Sequence, residues 1–412
     1  MSNFARRFGP GFFVTAAFIG PGTVTTASLA GANYGYALAW VILFALFATL
    51  VLQHMAVRIG VAGNSGLAEE LAKLSRRPLV RVVVFLVVIL AIGVGNAVYQ
   101  AGNLTGAAMG LSSLLGAKLR VWVLIVLGIA FVLLWTGTYR RIERVLVSLV
   151  AVMGLTFGTS AILIGPDLKQ LAAGFVLPSL PQGSLLTVIA LIGTTVVPYN
   201  LFLHADVARK KWGMDQNAGL AARDTFMDRN VWLATRDAFL AITIGGVITL
   251  AIMVSALPIY IAGMSLQGLN EISQQLEPVL GRAAGWFFAL GLFAAGLTSA
   301  ITAPMASAYA LAGLFGWEKS LVQGRARLIW ITVLVAGGLG ALSGGNPIQL
   351  IVLAQAANGI GLPIIAVLLL LIVNKRQLLG VYANGWIANL LGVVVVLITG
   401  ALSATQLIRL LI

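Results

Sequence analysis

Long uninterrupted apolar runs dominate this chain, and each must satisfy its backbone polarity within itself. Segments bounded by charge or by Gly and Pro fall near 9–35, 36–57, 78–115, 119–138, 145–165, 184–208, 236–262, 282–313, 326–343, 347–373 and 381–408. Most have the length of helix, about 20 residues, that crosses a bilayer core. The runs are continuous rather than alternating with period two, which argues against a transmembrane β-barrel. Composition agrees: 9% of the residues are charged and 60% hydrophobic, against about 25% charged in a soluble domain. No soluble domain of useful size fits between the runs. The predicted class is an all-α integral membrane protein with eleven transmembrane helices.

The same composition limits the chemistry. With no cysteine, disulfides, iron–sulfur clusters, thiolate metal sites and cysteine nucleophiles are excluded. Two histidines and twelve acids leave little material for hydrolysis. No nucleophile–base or two-carboxylate arrangement is visible, so neither an enzyme nor a cofactor is expected. Met1 to Phe8 is short and holds Arg6 and Arg7. The run behind it lacks a small-residue cleavage pattern and reads as a membrane helix, not a secretory signal.

A net charge of +14 reads as membrane topology, not as nucleic-acid binding. With the N-terminus placed in the cytoplasm and the spans alternating, 21 of the 26 Lys and Arg fall in inside loops. The outside keeps five: Lys118, Arg120, Lys169, Arg282 and Arg409. That asymmetry predicts a multi-pass protein of the cell membrane with a cytoplasmic N-terminus and an extracellular C-terminus. The lipid bilayer is its expected partner, with no nucleic acid and no obligate protein partner implied. The nine Trp, including Trp40, Trp135, Trp232, Trp317 and Trp330, lie mostly near span ends and read as interfacial anchors.

Two spans are interrupted. Ile19-Gly20-Pro21-Gly22-Thr23 stands within the first and Val196-Val197-Pro198-Tyr199-Asn200 within the sixth. Proline removes a backbone donor and collides with the preceding turn, so both helices should unwind near mid-membrane, over Gly20–Thr23 and Thr195–Asn200. Pro21 and Pro198 are 177 residues apart, each in the first helix of a block of five spans. Interrupted segments at matching places in two halves are the mark of an inverted-repeat transporter. The expected organisation is one repeat over 1–170, a second over 171–374 and an additional helix in 375–412.

At this point the residues resemble a known family. Gly9-Pro10-Gly11-Phe12-Phe13-Val14 and Ala30-Gly31-Ala32-Asn33-Tyr34-Gly35-Tyr36 look like the first helix of the natural resistance-associated macrophage protein (Nramp) family. Arg58-Ile59-Gly60-Val61, Gly66-Leu67-Ala68-Glu69, Pro198 to His204, Leu353-Ala354-Gln355 and Leu362-Pro363 extend the resemblance over nearly the whole chain. It implies a divalent transition-metal transporter of the LeuT fold. The departures fall on the chemistry. Where the family has Asp-Pro-Gly-Asn, this chain has Gly20-Pro21-Gly22-Thr23, without the metal-binding carboxylate. Where the family has Met-Pro-His-Asn, Val197-Pro198-Tyr199-Asn200 lacks both thioether and histidine. The third-helix acids that carry protons fall near Val94 and Ala97 here. This pattern is similar to the Nramp-related magnesium transporters, which implies Mg²⁺, and also Mn²⁺, as cargo without proton coupling.

The residues themselves point the same way. No acid occurs from Met1 to Ala68 or between Glu70 and Glu143, so a bare divalent ion at mid-membrane would meet no carboxylate. Mg²⁺ gives up water reluctantly, and the thioether and imidazole that favour transition metals are missing. A polar cavity for a largely hydrated ion is expected. Its candidate contacts are the side chains of Thr23, Tyr199, Asn200 and Gln355, with carbonyls around Ala17, Gly20, Thr194 and Val197. Ligation, mostly through water, would fall to Gly20, Thr23, Thr194, Asn200 and Gln355.

Each candidate has a plainer reading. Thr23 can bond its own helix, Asn200 can cap the second half-helix, and Gln355 can tie two helices together. His204 is a candidate for the exit path, and His54 reads as structural. Asn96, Gln100 and Asn103 either face the aqueous path or tie helices. Competing functions are a proton-coupled Mn²⁺/Fe²⁺ symporter, an organic-solute transporter of the same fold, and an ion channel.

Overall fold

In a medium without water every backbone group must be paired inside the chain, which leaves helices for chains of this pattern. The computed structural model describes residues 10–137, 139–213, 223–263, 281–344 and 346–411, and its long elements are all helical. In order they are α1 (Pro10–Phe18), α2 (Pro21–Tyr34), α3 (Ala39–Val61), α4 (Leu67–Ala72), α5 (Pro78–Val88), a π-helical stretch (Ile89–Val94) and α6 (Gly95–Leu115). Then follow α7 (Leu119–Thr136), α8 (Tyr139–Ile164), α9 (Leu168–Val176), α10 (Leu185–Thr195), α11 (Pro198–Trp212), α12 (Arg223–Ser255) and α13 (Leu257–Ile261). The chain ends with α14 (Ala284–Phe315), α15 (Gly324–Leu342), α16 (Pro347–Val373) and α17 (Trp386–Leu411).

Among the described residues nine helices are long and apolar enough to cross a membrane. A tenth results if α8 and α9, bent by 114° at their junction, count together. The expected span over 9–35 is divided between α1 and α2, of 9 and 14 residues, and neither alone reaches that length. Helix burial sorts centre from rim. The most apolar windows of α10–α11 and α14 are 89% buried, against 22% for α7 and for α17.

Lipid is as apolar as leucine, so close helix approach here depends on small side chains. Gly102, Gly106 and Gly110 recur every fourth residue on α6 and meet α16, α2 and α14 respectively. Gly106 shows why no larger residue serves: a Cβ there would run into the Pro21 ring, which cannot yield. Gly106→Ala is therefore expected to cost about 1–3 kcal/mol by overpacking. Gly128→Ala on α7, facing open space, should be neutral or slightly stabilising. Thermal unfolding of the two variants in detergent checks the difference, and equal midpoints would contradict it.

Both expected breaks are present but are shorter and lie earlier than the sequence implied. Only Ile19–Gly20 and Val196–Val197 leave the helix, because Pro21 and Pro198 each occupy the first position of a new helix. There the missing N–H costs nothing and the fixed φ is already helical. Gly22, Thr23, Tyr199 and Asn200 are thus helical, and Val197 rather than Asn200 is the cap residue of α11. Trp330 is another correction. It is fully buried, donates its ring N–H to the Leu321 carbonyl at 2.9 Å and packs on Phe131, so it is no interfacial anchor. Trp135 and Trp232 are exposed, as anchors require.

Candidate functional site

The half-helices meet in the centre through their loose ends. The Thr23 hydroxyl reaches back across the first break to donate to the Phe18 carbonyl, accepts the Gly20 N–H at 3.4 Å, and lies 2.8 Å from the Thr194 hydroxyl. It therefore joins α1 and α2 to α10 instead of bonding only its own turn. Tyr199 donates to the Ala17 carbonyl at 2.8 Å, and Asn200 Nδ2 donates to the Val14 carbonyl at 3.3 Å. In this way α11 holds α1. The far end of α1 is held by α12, where Asp237 Oδ2 accepts the Gly11 N–H at 2.6 Å.

Gln355 arrives from α16. Its side chain lies so close over Gly22 that a Cβ at that position would overlap the amide. Although it is 1% exposed, neither its oxygen nor its nitrogen has a hydrogen-bond partner. The interhelical tie open to it from sequence is therefore not made. Asn200 Oδ1 and the Tyr99 hydroxyl are likewise buried and unpartnered. Buried polar atoms without partners are costly. The Gln355 amide and the Tyr99 hydroxyl are neighbours beside the first break, and together they make a candidate place for water, an ion or both.

Of the expected residues, the structure gathers Ala17, Gly20, Thr23, Thr194, Val197, Tyr199, Asn200 and Gln355 around the two breaks. The Gly20 and Val197 carbonyls already accept from Val24 and Asn200, each using one of two lone pairs, and the Ala17 carbonyl accepts from both Tyr199 and Ser299. His204 stands apart: it lies farther along α11 at α3, with Nδ1 2.9 Å from Gln53 Oε1. His54 sits on the exposed side of α3.

The third helix presents two different faces. Val94 is 54% exposed and turns outward. The inward face of that stretch carries Asn96, Tyr99, Gln100 and Asn103. Asn96 and Gln100 donate to the Ala303 and Ala300 carbonyls of α14, so they tie helices together.

Tyr99 and Ser299 are candidate site residues that the sequence reading missed. The Tyr99 ring meets Tyr199 edge-on at 5.7 Å, and its hydroxyl lies among the polar groups of Tyr199, Ser299, Gln355 and Thr194. Ser299 reaches the Ala17 carbonyl at 3.5 Å. A signal existed: Asn96, Tyr99, Gln100 and Asn103 follow helical spacing inside an apolar run, as do Thr298, Ser299 and Thr302.

Below the site, on the face that carries α4, α11 ends in an ionic cluster. Lys319 Nζ contacts both Glu69 Oε1, at 2.7 Å, and Asp206 Oδ1. Arg209 approaches the same two acids at 3.4 and 3.7 Å. Asp206 is 1% exposed, so this is a buried carboxylate. Among the described residues no group of three or more His, Asp or Glu is placed to hold a metal ion.

A helical bundle with two broken helices joined through polar side chains is the architecture of a LeuT-fold membrane transporter. Solved structures agree on the fold. A manganese transporter of Eremococcus coleocola superposes with a TM-score of 0.76 at 19% identity, covering 97% of this chain and 85% of that one. MhsT in complex with L-phenylalanine superposes at 0.63 with 16% identity, covering 97% of each chain. The family model for natural resistance-associated macrophage protein-like sequences matches residues 11–409, and the chain belongs to that family. Relatives include the divalent metal cation transporter MntH of Pectobacterium carotovorum, 28% identical over 396 residues, 95% of this chain and 91% of the relative. The MntH protein of Yersinia pestis is 27% identical over 413 residues, 98% of this chain and 95% of the relative.

Proposed function

We propose that this protein moves divalent metal ions across the cell membrane, with Mg²⁺, and Mn²⁺ beside it, passing as largely hydrated ions down the membrane potential and without protons. The cargo class is supported by the relatives, named for divalent metal cation and manganese transport. The finer reading rests on one observation: the unpartnered groups between the breaks are all neutral, namely Gln355, Asn200 Oδ1 and Tyr99 OH. Neutral oxygens do not offset the dehydration of Mg²⁺, but they suit its bound waters. Protein oxygens would then stand about 4 Å or more from the ion, beyond the direct distance of about 2.0–2.1 Å. Thr23, Tyr199 and Gln355 are all closed off from solvent, so admitting a hydrated ion requires the half-helices to part.

Two further parts of the reading follow. Residues 1–170 and 171–374 act as inverted repeats, with α1–α2 and α10–α11 as the matching broken helices. The face that carries the α4–α11 ionic cluster is cytoplasmic, as the distribution of Lys and Arg implies, with the C-terminus outside.

Proton symport needs groups that exchange protons in sequence. His204 meets a neutral amide, Gln53, rather than a carboxylate. The potential suffices alone: about 2.3 kcal/mol per charge per 100 mV gives a divalent ion about 4.6 kcal/mol, a ratio above ~1000. In proteoliposomes with negative internal potential, Mg²⁺ uptake is expected to proceed without a change in an internal pH-sensitive dye. Acidification that appears only with Mg²⁺ and scales with its uptake would overturn the uncoupled reading. Uptake of an amino acid in place of either metal would overturn the cargo.

A further inference from the structure

Two of the five cations that the topology count leaves outside, Lys118 and Arg120, line one cavity of about 330 Å³ between the α6–α7 corner and the α15–α16 corner. Thr105, Gly340, Ala341, Gly344, Pro347 and Leu350 form much of the rest, and no acid lines it. The Arg120 guanidinium lies against Gly344, where a Cβ would stand 3.2 Å from Nη2. Neither Lys118 nor Arg120 makes an ion pair among the described residues. Helix α7 begins beside them with no side-chain cap, so the positive end of its dipole points at the same corner, with the Val121 N–H turned back to the Lys118 carbonyl at 2.9 Å. Independently, Thr105 is 1% exposed, lines the same cavity, and its hydroxyl has no partner.

We infer that this cavity is a binding site for a phosphate-bearing anion. Two unpaired cations, an uncapped helix start and an orphaned hydroxyl all lack the same thing, an acceptor carrying negative charge. The volume is at the lower end of ligand pockets, about 300–1,000 Å³, and suits a headgroup or an inorganic ion rather than a macromolecule. An entrance for the transported metal is the wrong sign, since both charges repel a divalent cation. Leu115, Val121 and Leu124, exposed beside the cavity, put lipid within reach of it. The anion would bridge α6–α7 to the start of α16, and α6 and α16 also supply Tyr99 and Gln355.

The test uses the full chain purified in detergent, with thermal unfolding and native mass spectrometry as readouts. Phosphatidylglycerol, phosphatidylcholine and inorganic phosphate are the three probes. Saturable binding of phosphatidylglycerol or of inorganic phosphate is expected, weakened at least ten-fold in Lys118→Gln/Arg120→Gln. Lys169→Gln, another exterior cation, should leave it unchanged. Thr105→Val, nearly isosteric, should weaken binding several-fold without lowering the midpoint of the ligand-free protein. Stabilisation by phosphatidylglycerol alone assigns the site to a lipid headgroup, and stabilisation by inorganic phosphate as well assigns it to the free anion. Equal binding by the double variant, equal loss in Lys169→Gln, or a preference for phosphatidylcholine overturns the site. Metal selectivity in the uptake assay is a separate readout, so failure here leaves the transport reading untouched.

Discussion

Lys319→Met should release the end of α11 and lower stability by about 3–5 kcal/mol, the usual cost of removing one partner from a buried ion pair. Lys319 is the cation closest to both acids, and without it Glu69 and Asp206 face each other with Arg209 alone, at 3.4 and 3.7 Å. The chain has no cysteine, so a single Val207→Cys on α11, normally 1% exposed, can report opening. Its labelling by a polar thiol reagent is expected to be at least ten-fold faster in the Lys319→Met background, and Lys319→Arg should restore protection. Unchanged labelling with an unchanged thermal midpoint would show that the cluster does not hold this face closed.

The cluster also sets a pH expectation. Burial pushes the Glu69 carboxyl up, but the charge and hydrogen bond of Lys319, with help from Arg209, outweigh it and hold the group below its ordinary value. A carboxylate whose folded value is depressed contributes stability above its unfolded value, and that contribution is lost as pH falls through the folded value. The part of the reporter's protection that Glu69 contributes should therefore be flat around neutral pH and be lost on acidification through its depressed value.

The second large effect is expected from Gly20→Asp. At φ −116° and ψ −175° the Gly20 backbone is extended and accepts any residue. A Cβ there would press on Ser299 Oγ and stand 3.4 Å from the Tyr99 hydroxyl oxygen. Ser299 can turn away at the cost of its long 3.5 Å bond to Ala17. The carboxylate then faces the neutral groups at the break. Two unit charges about 4 Å apart at an effective dielectric of about 20 interact by about 4 kcal/mol, and a divalent ion doubles this. Desolvation returns much of it, yet a net ~1.4 kcal/mol is already ten-fold. Mn²⁺ binding by calorimetry should tighten at least ten-fold, and the Mn²⁺-to-Mg²⁺ uptake ratio should rise. A folded variant with both quantities unchanged would place the ion elsewhere.

Much of the candidate site was legible in one dimension because proline and glycine act locally. Pro21 and Pro198 announce broken helices wherever they stand in an apolar run, and Thr23, Tyr199 and Asn200 are adjacent in sequence to those breaks. Gln355 was found through its resemblance to a family motif, and the structure puts it over Gly22. The extent of the breaks was misjudged, because proline at the first position of a helix begins that helix as readily as it ends another. Tyr99 and Ser299 were missed because nothing local distinguishes a polar residue facing the centre from one that ties two helices. Asn96 and Gln100, on the same face of α6, do tie helices.

The sequence alone determined the solvent, the helical class, the central breaks and the absence of any acid from Met1 to Ala68. These are properties of composition and of single backbone positions, and they hold whatever the packing. Tertiary structure alone decided which polar atoms lose their partners, that Trp330 is interior, and that Lys319 joins Glu69 to Asp206 across 113 and more residues of chain. It also brought Lys118 and Arg120 together with Thr105. In a membrane, helix association is selected by close contact between small residues, and register between distant helices is set by their mutual fit. Pairing across that fit depends on both surfaces at once, which no local stretch of sequence specifies.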